Sequence, residues 1–264
     1  WTNVPNMEIQ NQGVELALEF SSDPNNDFSY RIGGNLTYIQ NQVVNSPFAV
    51  LTTGSATGAG QTGATINGYI NGESIGAFYM KEFVGIGPDG LNEFRDINGD
   101  DQVLENDRDV VGSALPDMLY AFYVNLDYKG FEFGMNFNGV SGNQIFNHTT
   151  MSLFNRGNLA SSFNTTDFAI QYDNEAITNS NEVSTRYLED GNFLRLNNAT
   201  LAYSLPVDNM GWDNWINGIR VSLTGQNLFV LTDYSGFDPE VNTGSSLGGV
   251  QTFGIDRFTY PAAR

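Results

Sequence analysis

The stretch from Asp96 to Asp107 holds the residues of this sequence that are best spaced for metal chemistry. Carboxylate or amide oxygens fall at the first, third, fifth and twelfth positions of this twelve-residue loop. Such a loop can wrap a hard cation such as Ca²⁺, with a backbone carbonyl at the seventh position as a further ligand. The sequence therefore predicts a calcium site with these ligands: Asp96, Asn98, Asp100, the carbonyl of Gln102, and Asp107.

The same loop departs from the usual calcium-binding pattern at two positions. Asp101 stands at the sixth position, where glycine is usual because the backbone turns sharply there. Asp107 stands at the twelfth position, where a longer glutamate usually binds the ion through both oxygens. An alternative therefore stays open, in which the Asp and Asn side chains hold a turn together by hydrogen bonds to the backbone.

The rest of the sequence offers little chemistry, and we expect that the protein is not an enzyme. It has no cysteine, which excludes disulfides, thiolate catalysis and cysteine-ligated metals. His148 is the only histidine and is expected at the surface. Ser161 lies near Asp167 in sequence, but no base is present to complete a triad. A net charge of −19 argues against nucleic acid as a partner, because the field repels phosphate.

Apolar and polar residues alternate with a period of two over several segments, which is typical of strands with one apolar face. The stretch 28–38 alternates without a break. It is longer than the usual globular strand of about 5–6 residues and matches the roughly 9–11 residues of a tilted transmembrane strand. The sequence predicts an all-β protein with six such strands, at about residues 14–21, 28–39, 118–128, 131–142, 193–205 and 218–231.

The connections between the predicted strands are of two kinds. Lys129-Gly130 is a tight turn, and 22–27 and 206–217 are also short, whereas 40–117 and 143–192 are long and polar. Short turns on one side and long loops on the other are typical of outer-membrane barrels. The smallest such barrels have about eight strands, and an open sheet edge in lipid leaves backbone groups unpaired. We therefore expect an antiparallel transmembrane β-barrel segment with long extracellular loops, completed by strands from elsewhere in the polypeptide.

Segments in order along the chain resemble those of one family. They are Asn11–Glu15, similar to an N-x-G-x-E strand opening; Gly76–Tyr79, similar to G-x-F-Y; Phe94–Asp107, similar to D-x-N-G-D-G except at Asp101; the strand–turn–strand Pro116–Phe131; Tyr187–Pro206, which contains Asp190–Leu196; Gln226–Leu228 with Tyr234–Glu240; and Tyr260-Pro261. Together they resemble the SusC-like (RagA/SusC) TonB-dependent outer-membrane transporters of Bacteroidetes-type bacteria.

The resemblance implies that residues 1–264 are a C-terminal piece of a plugged barrel of about 22 strands, one strand short of the last. By similarity, the plug domain and the TonB box would lie upstream. The intact protein would import a nutrient, glycans or peptides, across the bacterial outer membrane, driven by TonB. A SusD-like surface lipoprotein would serve as its lid, and lipid bilayer and lipopolysaccharide would surround it. No cofactor other than Ca²⁺ is expected.

The implied orientation places the Lys129-Gly130 turn in the periplasm and the Asp96–Asp107 loop outside the cell. Polar positions expected to line the lumen, where they would solvate it or contact the plug, are Glu15, Glu19, Arg31, Asn35, Asn125, Asp127, Glu132, Asn136 and Arg220. Extracellular aromatic residues that could stack on a sugar or peptide, or else pack within the loops, are Phe78, Tyr79, Phe154, Phe163, Tyr172 and Tyr234.

Two other functional classes are compatible with the pattern. The first is a soluble secreted β-protein that binds carbohydrate with the help of calcium, which the acidic loop and the aromatic residues would also suit. The second is a porin or a barrel-fold enzyme without TonB coupling. Strand length discriminates against the first, because a soluble sandwich has shorter strands and an apolar core between two sheets.

Overall fold

A computed structural model gives the structure of the chain for most of its length. The residues that it describes are 4–56, 64–153, 156–160, 167–207, 211, 216–241, 246–247 and 250–257. Phe154, Phe163 and the Tyr260-Pro261 motif lie outside these residues. Within them, no helix is long and apolar enough to cross a membrane.

The described residues form strands joined by turns and a few short helices, which confirms the prediction of an all-β protein. The helices are α1 (His148–Leu153) and α2 (Gly157–Ala160), with 3₁₀ turns at Glu105–Asp107, Asp167–Ile170 and Thr185–Tyr187. The strands are β1 (Glu8–Ser21), β2 (Phe28–Val44), β3 (Leu51–Ser55), β4 (Thr65–Tyr69), β5 (Ala77–Lys81), β6 (Phe83–Ile86), β7 (Asn92–Phe94), β8 (Arg108–Ser113), β9 (Met118–Tyr128), β10 (Phe131–Ser141), β11 (Gln144–Phe146), β12 (Leu188–Asp190), β13 (Phe193–Leu205), β14 (Ile219–Thr232), β15 (Ser246–Leu247) and β16 (Val250–Gln251).

The long strands of the described chain pair into one antiparallel sheet of six, in the order β1-β2-β9-β10-β13-β14. Each long strand therefore lies beside the next long strand in sequence. β1 begins at Glu8 and β2 ends at Val44, both beyond the predicted strands at 14–21 and 28–39. Residues 10–12 and 40–42 are polar on both faces, so the alternation that marks a strand in sequence is lost there although the backbone pairing continues.

One face of this sheet is apolar from β1 to β14, and we call it the apolar face. Its side chains lie in solvent-accessible positions; Val14 is 69% exposed and Leu223 is 77% exposed. A row of cross-strand partners at the end with the short turns is aromatic: Phe28 with Tyr128, Tyr128 with Phe131, and Phe131 with Tyr203. An outward apolar band edged by aromatic residues is the pattern of a strand wall that faces lipid.

A β-bulge in β13 changes which face its side chains occupy. Asn136 and Phe137 are neighbours in β10, but their partners in β13 are Asn198 and Leu196, so that Asn197 is an extra residue. Since side chains alternate between faces, one extra residue moves every following side chain to the other face. Arg195 consequently shares a face with its partner Asn138 rather than with the apolar residues.

The long connections fold into a second body at the opposite end of the sheet from the short turns. It contains a sheet in the order β3-β4-β5-β8 and three two-stranded sheets, β6-β7, β11-β12 and β15-β16. We call the described parts of 45–117, 142–192 and 233–257 the loop body. Its core brings together residues far apart in sequence: Ile66, Phe78, Met80, Phe146, Met151, Val183, Tyr187 and Ile255. Burial of each large apolar side chain contributes about 1.5–3 kcal/mol, which stabilises these connections as a folded unit.

The two faces of the sheet should respond differently to a charge. We expect Ile32→Arg, near the middle of the apolar face of β2, to lower the free energy of unfolding in lipid by about 2–4 kcal/mol, because the guanidinium must enter hydrocarbon. Asn35→Arg, on the other face of the same strand, should change it by much less. Urea unfolding of the full-length protein in phospholipid vesicles measures both, and equal effects would contradict the assignment of the faces.

Candidate functional site

The face opposite the apolar face, which we call the polar face, carries the positions predicted to line the lumen. Cross-strand partners point to the same face, so the pairings Ser21 with Arg31 and Arg31 with Asn125 connect three strands on one side. The register places all of the following on the polar face: Glu15, Glu19, Arg31, Asn35, Asn125, Asp127, Glu132, Asn136 and Arg220.

Polar side chains on this face bond across the strands. Arg220 in β14 reaches over β13 to Glu132 in β10, with Nη2 2.7 Å from Oε2. Asn136 donates to Asn198 at 2.9 Å, and Tyr123 donates to Glu19. These side chains are half-exposed, so each pair adds about 0–1 kcal/mol to stability. Their main effect is to hold a wall of carboxylates, amides and guanidinium groups in fixed positions beside water.

A cleft on the sheet has a volume of about 480 Å³, and its lining combines Glu19, Asn35, Tyr123, Asn136 and Asn138 with the apolar residues Leu18, Phe122 and Phe137. Carboxylate and amide groups can exchange hydrogen bonds with hydroxyl, amide and ammonium groups of a hydrated solute. The polar side chains of this face therefore suit the passage or weak binding of polar molecules.

A buried ion pair joins the sheet to the loop body. Arg195 Nη2 donates to Asp238 Oδ1 at 2.7 Å, and the two side chains are 3% and 6% exposed. Glu240 Oε2 lies 2.9 Å from Arg195 Nε. Arg195 belongs to the segment Phe193–Leu196, and Asp238 belongs to the segment Tyr234–Glu240. The ion pair therefore fixes the connection that follows β14 against the upper end of β13.

A polar network beside this ion pair binds the same connection a second time. Ser235 donates to Glu189 through its backbone N–H and its hydroxyl, both at 2.8 Å. Asn147 also donates to Glu189 at 2.8 Å, and Tyr234 donates to Asp256 at 2.6 Å. Burial raises the pKa of the Tyr234 hydroxyl, and the hydrogen bond to Asp256 raises that pKa further. The hydroxyl therefore stays protonated and remains a donor.

A second buried ion pair lies deeper in the loop body. Arg186 donates to both carboxylate oxygens of Glu175 at 2.7 Å. Burial alone would raise the pKa of Glu175, but hydrogen bonds from Arg186 and Asn179 outweigh it, and the pKa is lowered. The Arg186 guanidinium also lies over the ring of Tyr172, 5.1 Å from its centroid. Arg186 also donates to Asn92 in β7 at 3.0 Å, so this cluster fixes the β6–β7 hairpin to the segment 172–187.

The sequence motifs predict no role for Arg195, Asp238, Arg186 or Glu175. A signal was present for Arg195, which is a lone charge in the apolar run Phe193–Leu196 and precedes two asparagines. A charge in such a run requires a partner if it is buried. The partner follows more than 40 residues later, since Arg195 and Asp238 are separated by 43 positions.

The predicted calcium loop closes on itself through Asp107. One carboxylate oxygen accepts the N–H groups of Ile97 (3.0 Å) and Asn98 (3.4 Å), and the other accepts that of Leu104 (2.8 Å). The backbone hydrogen bond from Leu104, with those from Ile97 and Asn98, holds the pKa of the Asp107 carboxyl below its usual range. Asp101 adopts φ +59°, the left-handed conformation that glycine would adopt more easily.

The remaining predicted ligands also bond within the loop. Asp96 accepts from Gly99 (2.7 Å) and Asp101 (2.8 Å), Asn98 accepts from Asp100 (2.9 Å), and Asp100 accepts from Gln102 (2.9 Å). In the described part of the chain, no three His, Cys, Asp or Glu side chains are grouped closely enough to hold a metal ion. These bonds match the alternative of a self-supporting turn, and they leave lone pairs on the same oxygens. Calcium binding by this loop stays a prediction.

The aromatic residues expected at the loop surface differ in burial. Phe78 is fully buried and Tyr234 is 5% exposed, so both pack within the loop body. Tyr79 lies under the Arg108 guanidinium, and Tyr172 packs edge-on against Phe83. The expectation that His148 lies at the surface is wrong: it is fully buried at the start of α1, where its Nδ1 lies 3.2 Å from Ser152 Oγ.

Known proteins are similar to this chain in sequence and in fold. No protein-family model matches the chain. TonB-dependent receptor P3 of Formosa agariphila is 27% identical over 97% of this chain and 28% of the receptor. TonB-dependent receptor P26 of the same organism is 29% identical over 91% of this chain and 26% of that receptor. TonB-dependent receptor SusC of Bacteroides thetaiotaomicron is 24% identical over 97% of this chain and 25% of that receptor. The chain thus spans about a quarter of the length of the curated relatives it matches.

Solved structures of the RagAB peptide transporter have a similar fold. The structure of the RagAB peptide transporter matches with a TM-score of 0.71 and 25% identity, over 96% of this chain and 28% of that one. The RagAB peptide importer in its closed-closed state matches with a TM-score of 0.70 and 26% identity over the same shares. The resemblance to SusC-like TonB-dependent receptors and the prediction of an antiparallel barrel segment are both confirmed.

The buried ion pair of Arg195 should matter more than the exposed one of Arg220. We expect Arg195→Met to cost about 3–5 kcal/mol, because Asp238 is left charged and buried without its partner. Arg220→Met removes a half-exposed partner of Glu132 and should cost at most about 1 kcal/mol. Unfolding of the full-length protein in detergent gives both values, and protease cleavage within 233–240 should rise only for Arg195→Met. Equal costs would contradict the assigned role.

Acid should open the Asp96–Asp107 loop. Because the folded pKa of Asp107 is depressed, its contribution is present above the unfolded pKa of about 3.9 and is lost as pH falls through the lower folded pKa. Limited digestion with an acid protease should therefore cut 96–107 only at pH values below the ordinary aspartate range. Asp107→Asn should be cut at every pH tested, whereas Asp101→Asn should behave like the native protein. Cleavage of Asp107→Asn that still depends on pH in the native manner would contradict the mechanism.

Proposed function

We propose that this chain forms a C-terminal part of the wall and of the extracellular loops of a SusC-like TonB-dependent importer in the bacterial outer membrane. One observation carries the proposal: a single antiparallel sheet with an outward apolar face and an inward polar face, topped by a folded loop body at the end away from the short turns. The similarity to TonB-dependent receptors over nearly the whole chain supports it. The relatives are named receptors and transporters, in agreement with a protein that is not an enzyme.

The remainder of the polypeptide would complete the barrel. In the described part of the chain, β1 and β14 each pair with one neighbour in the sheet. Unpaired backbone groups cost several kcal/mol each in hydrocarbon, so both edges require further strands. A plugged transporter of about 22 strands would supply them, together with a plug domain on which TonB acts. The length of the relatives, of which this chain covers about a quarter, fits such a barrel.

The ligand would be a hydrated nutrient, a glycan or a peptide. The polar face offers amide, carboxylate and guanidinium groups, which recognise hydroxyl, amide and ammonium groups. With a net charge of −19, long anionic polymers would be repelled. The chemistry of the described wall suits both classes of ligand.

A SusD-like lipoprotein would cover the loop body from outside. The loop body has its own apolar core and a buried ion pair, and a second buried ion pair fixes it to β13, so it would offer this partner a preformed surface. Partners that bind preformed surfaces lose less conformational entropy on association. The similarity to SusC and to the RagAB peptide transporter supports a partner of this kind.

The exposed apolar face weighs against the alternative of a soluble carbohydrate-binding protein. In a soluble sandwich, a second sheet about 10 Å away would cover such a face. Within the described residues, the large apolar side chains of β1, β2 and β14 on this face remain accessible. A lipid bilayer is the environment that such a face requires.

Location and transport test the proposal. The full-length protein should sediment with outer membranes, require detergent for extraction and migrate faster on gels before heating than after. A strain that lacks it should lose uptake of one labelled member of a panel of peptides and oligosaccharides, and the native gene should restore uptake. Release into buffer without detergent would contradict the outer-membrane proposal, and undiminished uptake of the whole panel would contradict the import proposal.

Calcium binding by the acidic loop needs a separate experiment. If the loop binds the ion, titration of the full-length protein with Ca²⁺ should release or absorb heat that disappears in Asp96→Asn/Asp100→Asn, since both carboxylates would be ligands. Glu82→Gln, outside the loop, serves as the control. An unchanged titration in the double variant would favour a turn held only by its own hydrogen bonds.

A further inference from the structure

Glutamine side chains form a ladder on the outward face of the first hairpin, beyond its apolar band. Gln12 pairs with Gln40 and Gln10 pairs with Gln42 across β1 and β2. Gln12 Nε2 donates to Gln40 Oε1 at 3.1 Å, and Gln42 Nε2 donates to Gln10 Oε1 at 3.4 Å. All four side chains are exposed. We call these residues the glutamine ladder.

The ladder continues the apolar face without a break. Strand β2 presents Phe28, Ile32, Leu36 and Tyr38 outward, and Gln40 is the next outward residue. The Tyr38 hydroxyl accepts a hydrogen bond from Gln40 Nε2 at 2.9 Å. Tyrosine at the edge of an apolar band marks the level of the lipid headgroups. The ladder therefore lies at and just above the headgroup level, on the side with the loop body.

The inward side chains of the same strand segments differ from the glutamines in what they contact. Asn11 and Asn41 alternate with the glutamines and point the other way, where Asn41 donates to Asn11 at 2.6 Å and accepts the N–H of Ile75 at 2.8 Å. Those amides serve contacts within the protein. The glutamines bond to one another and to Tyr38, and each amide retains further donor and acceptor capacity toward a ligand.

The outward residues of β1 and β2 around the ladder carry no cation. Beyond the ladder this face presents Glu8 opposite Val44, and no lysine or arginine is among the outward residues of the two strands. A phosphate group would meet a carboxylate here and no cation. Uncharged hydroxyl groups, by contrast, can both donate to amide oxygens and accept from amide nitrogens. The chemistry of the ladder fits a sugar.

We propose that the glutamine ladder binds the sugar headgroup of a glycolipid in the outer leaflet of the membrane that surrounds the barrel. The proposal rests on the proposed function, because it requires the apolar face to lie in that membrane. The continuity of the ladder with the lipid-facing band favours a lipid-anchored sugar over a free glycan, since the anchor keeps the sugar at this height. Sugar contacts here would hold the paired ends of β1 and β2 in place next to the loop body.

Retention of glycolipid by the full-length protein tests the proposal. The protein is purified in an amine-oxide detergent, which carries no sugar, and reconstituted into phosphatidylcholine nanodiscs with and without lipopolysaccharide. Bound glycolipid per protein is measured by mass spectrometry after detergent exchange. We expect Gln10→Ala/Gln12→Ala/Gln40→Ala/Gln42→Ala to retain about tenfold less lipopolysaccharide than the native protein, because several hydrogen bonds to hydroxyl groups are lost.

Two further arms keep the test specific. Glu15→Ala/Thr37→Ala changes an inward pair on the same two strands and should retain glycolipid like the native protein. Dephosphorylated lipopolysaccharide should be retained as well as the native glycolipid, because the sugar is recognised. Unchanged retention in the glutamine variant, or dependence on the phosphates, would overturn the proposal.

Gel mobility before and after heating separates this failure from others. A fourfold glutamine variant that has lost the faster unheated band has not folded. The double variant Gln12→Ala/Gln40→Ala is then compared with the native protein. We expect it to retain less glycolipid, though with a smaller loss than the fourfold variant, and undiminished retention would overturn the proposal. If the native protein is found outside the outer membrane, the proposed function itself fails. If it lies in the outer membrane and imports its nutrient but retains glycolipid independently of the ladder, only the present inference fails.

Discussion

Every other feature of this structure depends on the pairing of backbone N–H and C=O groups between strands. In hydrocarbon no water can satisfy these groups, so each strand must pair with its neighbours. Once the register is set, alternation assigns each side chain to lipid or to the inner space. The long paired strands of the described chain obey this rule from β1 to β14. The apolar face, the aromatic row and the polar wall are consequences of it.

One irregularity in the strand register, the β-bulge at Asn197, connects the sheet to the loop body. The extra residue at Asn197 turns Arg195 inward, where it meets Asp238. Without the bulge the guanidinium would point toward lipid, at a cost of several kcal/mol. The left-handed conformation of Asn227 in β14 lies beside the same irregularity, so the neighbouring strand adapts to it. A local irregularity of the sheet therefore positions the loops.

The loops in turn act as a folded body. Phe78, Phe146 and Ile255 come from three separate connections and share one core, and Glu189 binds residues from two of them. A surface made in this way is fixed before any ligand or partner arrives. In an importer, such a body would present the same entrance to each ligand. Any conformational change would then occur in other parts of the protein or in a partner that covers the loop body.

The sequence by itself determined the all-β class and the two faces of each strand, and its ordered motif segments carried the resemblance to SusC-like receptors. The class and the faces could be read from the sequence because a strand between lipid and water has a period of two that does not depend on its neighbours. The structure alone decided that β1 and β2 extend to Glu8 and Val44, that Arg195 faces inward and that His148 is buried. Each of these features depends on residues distant in sequence, through strand pairing, a bulge opposite β10 or a shared core. Local sequence patterns cannot predict such contacts.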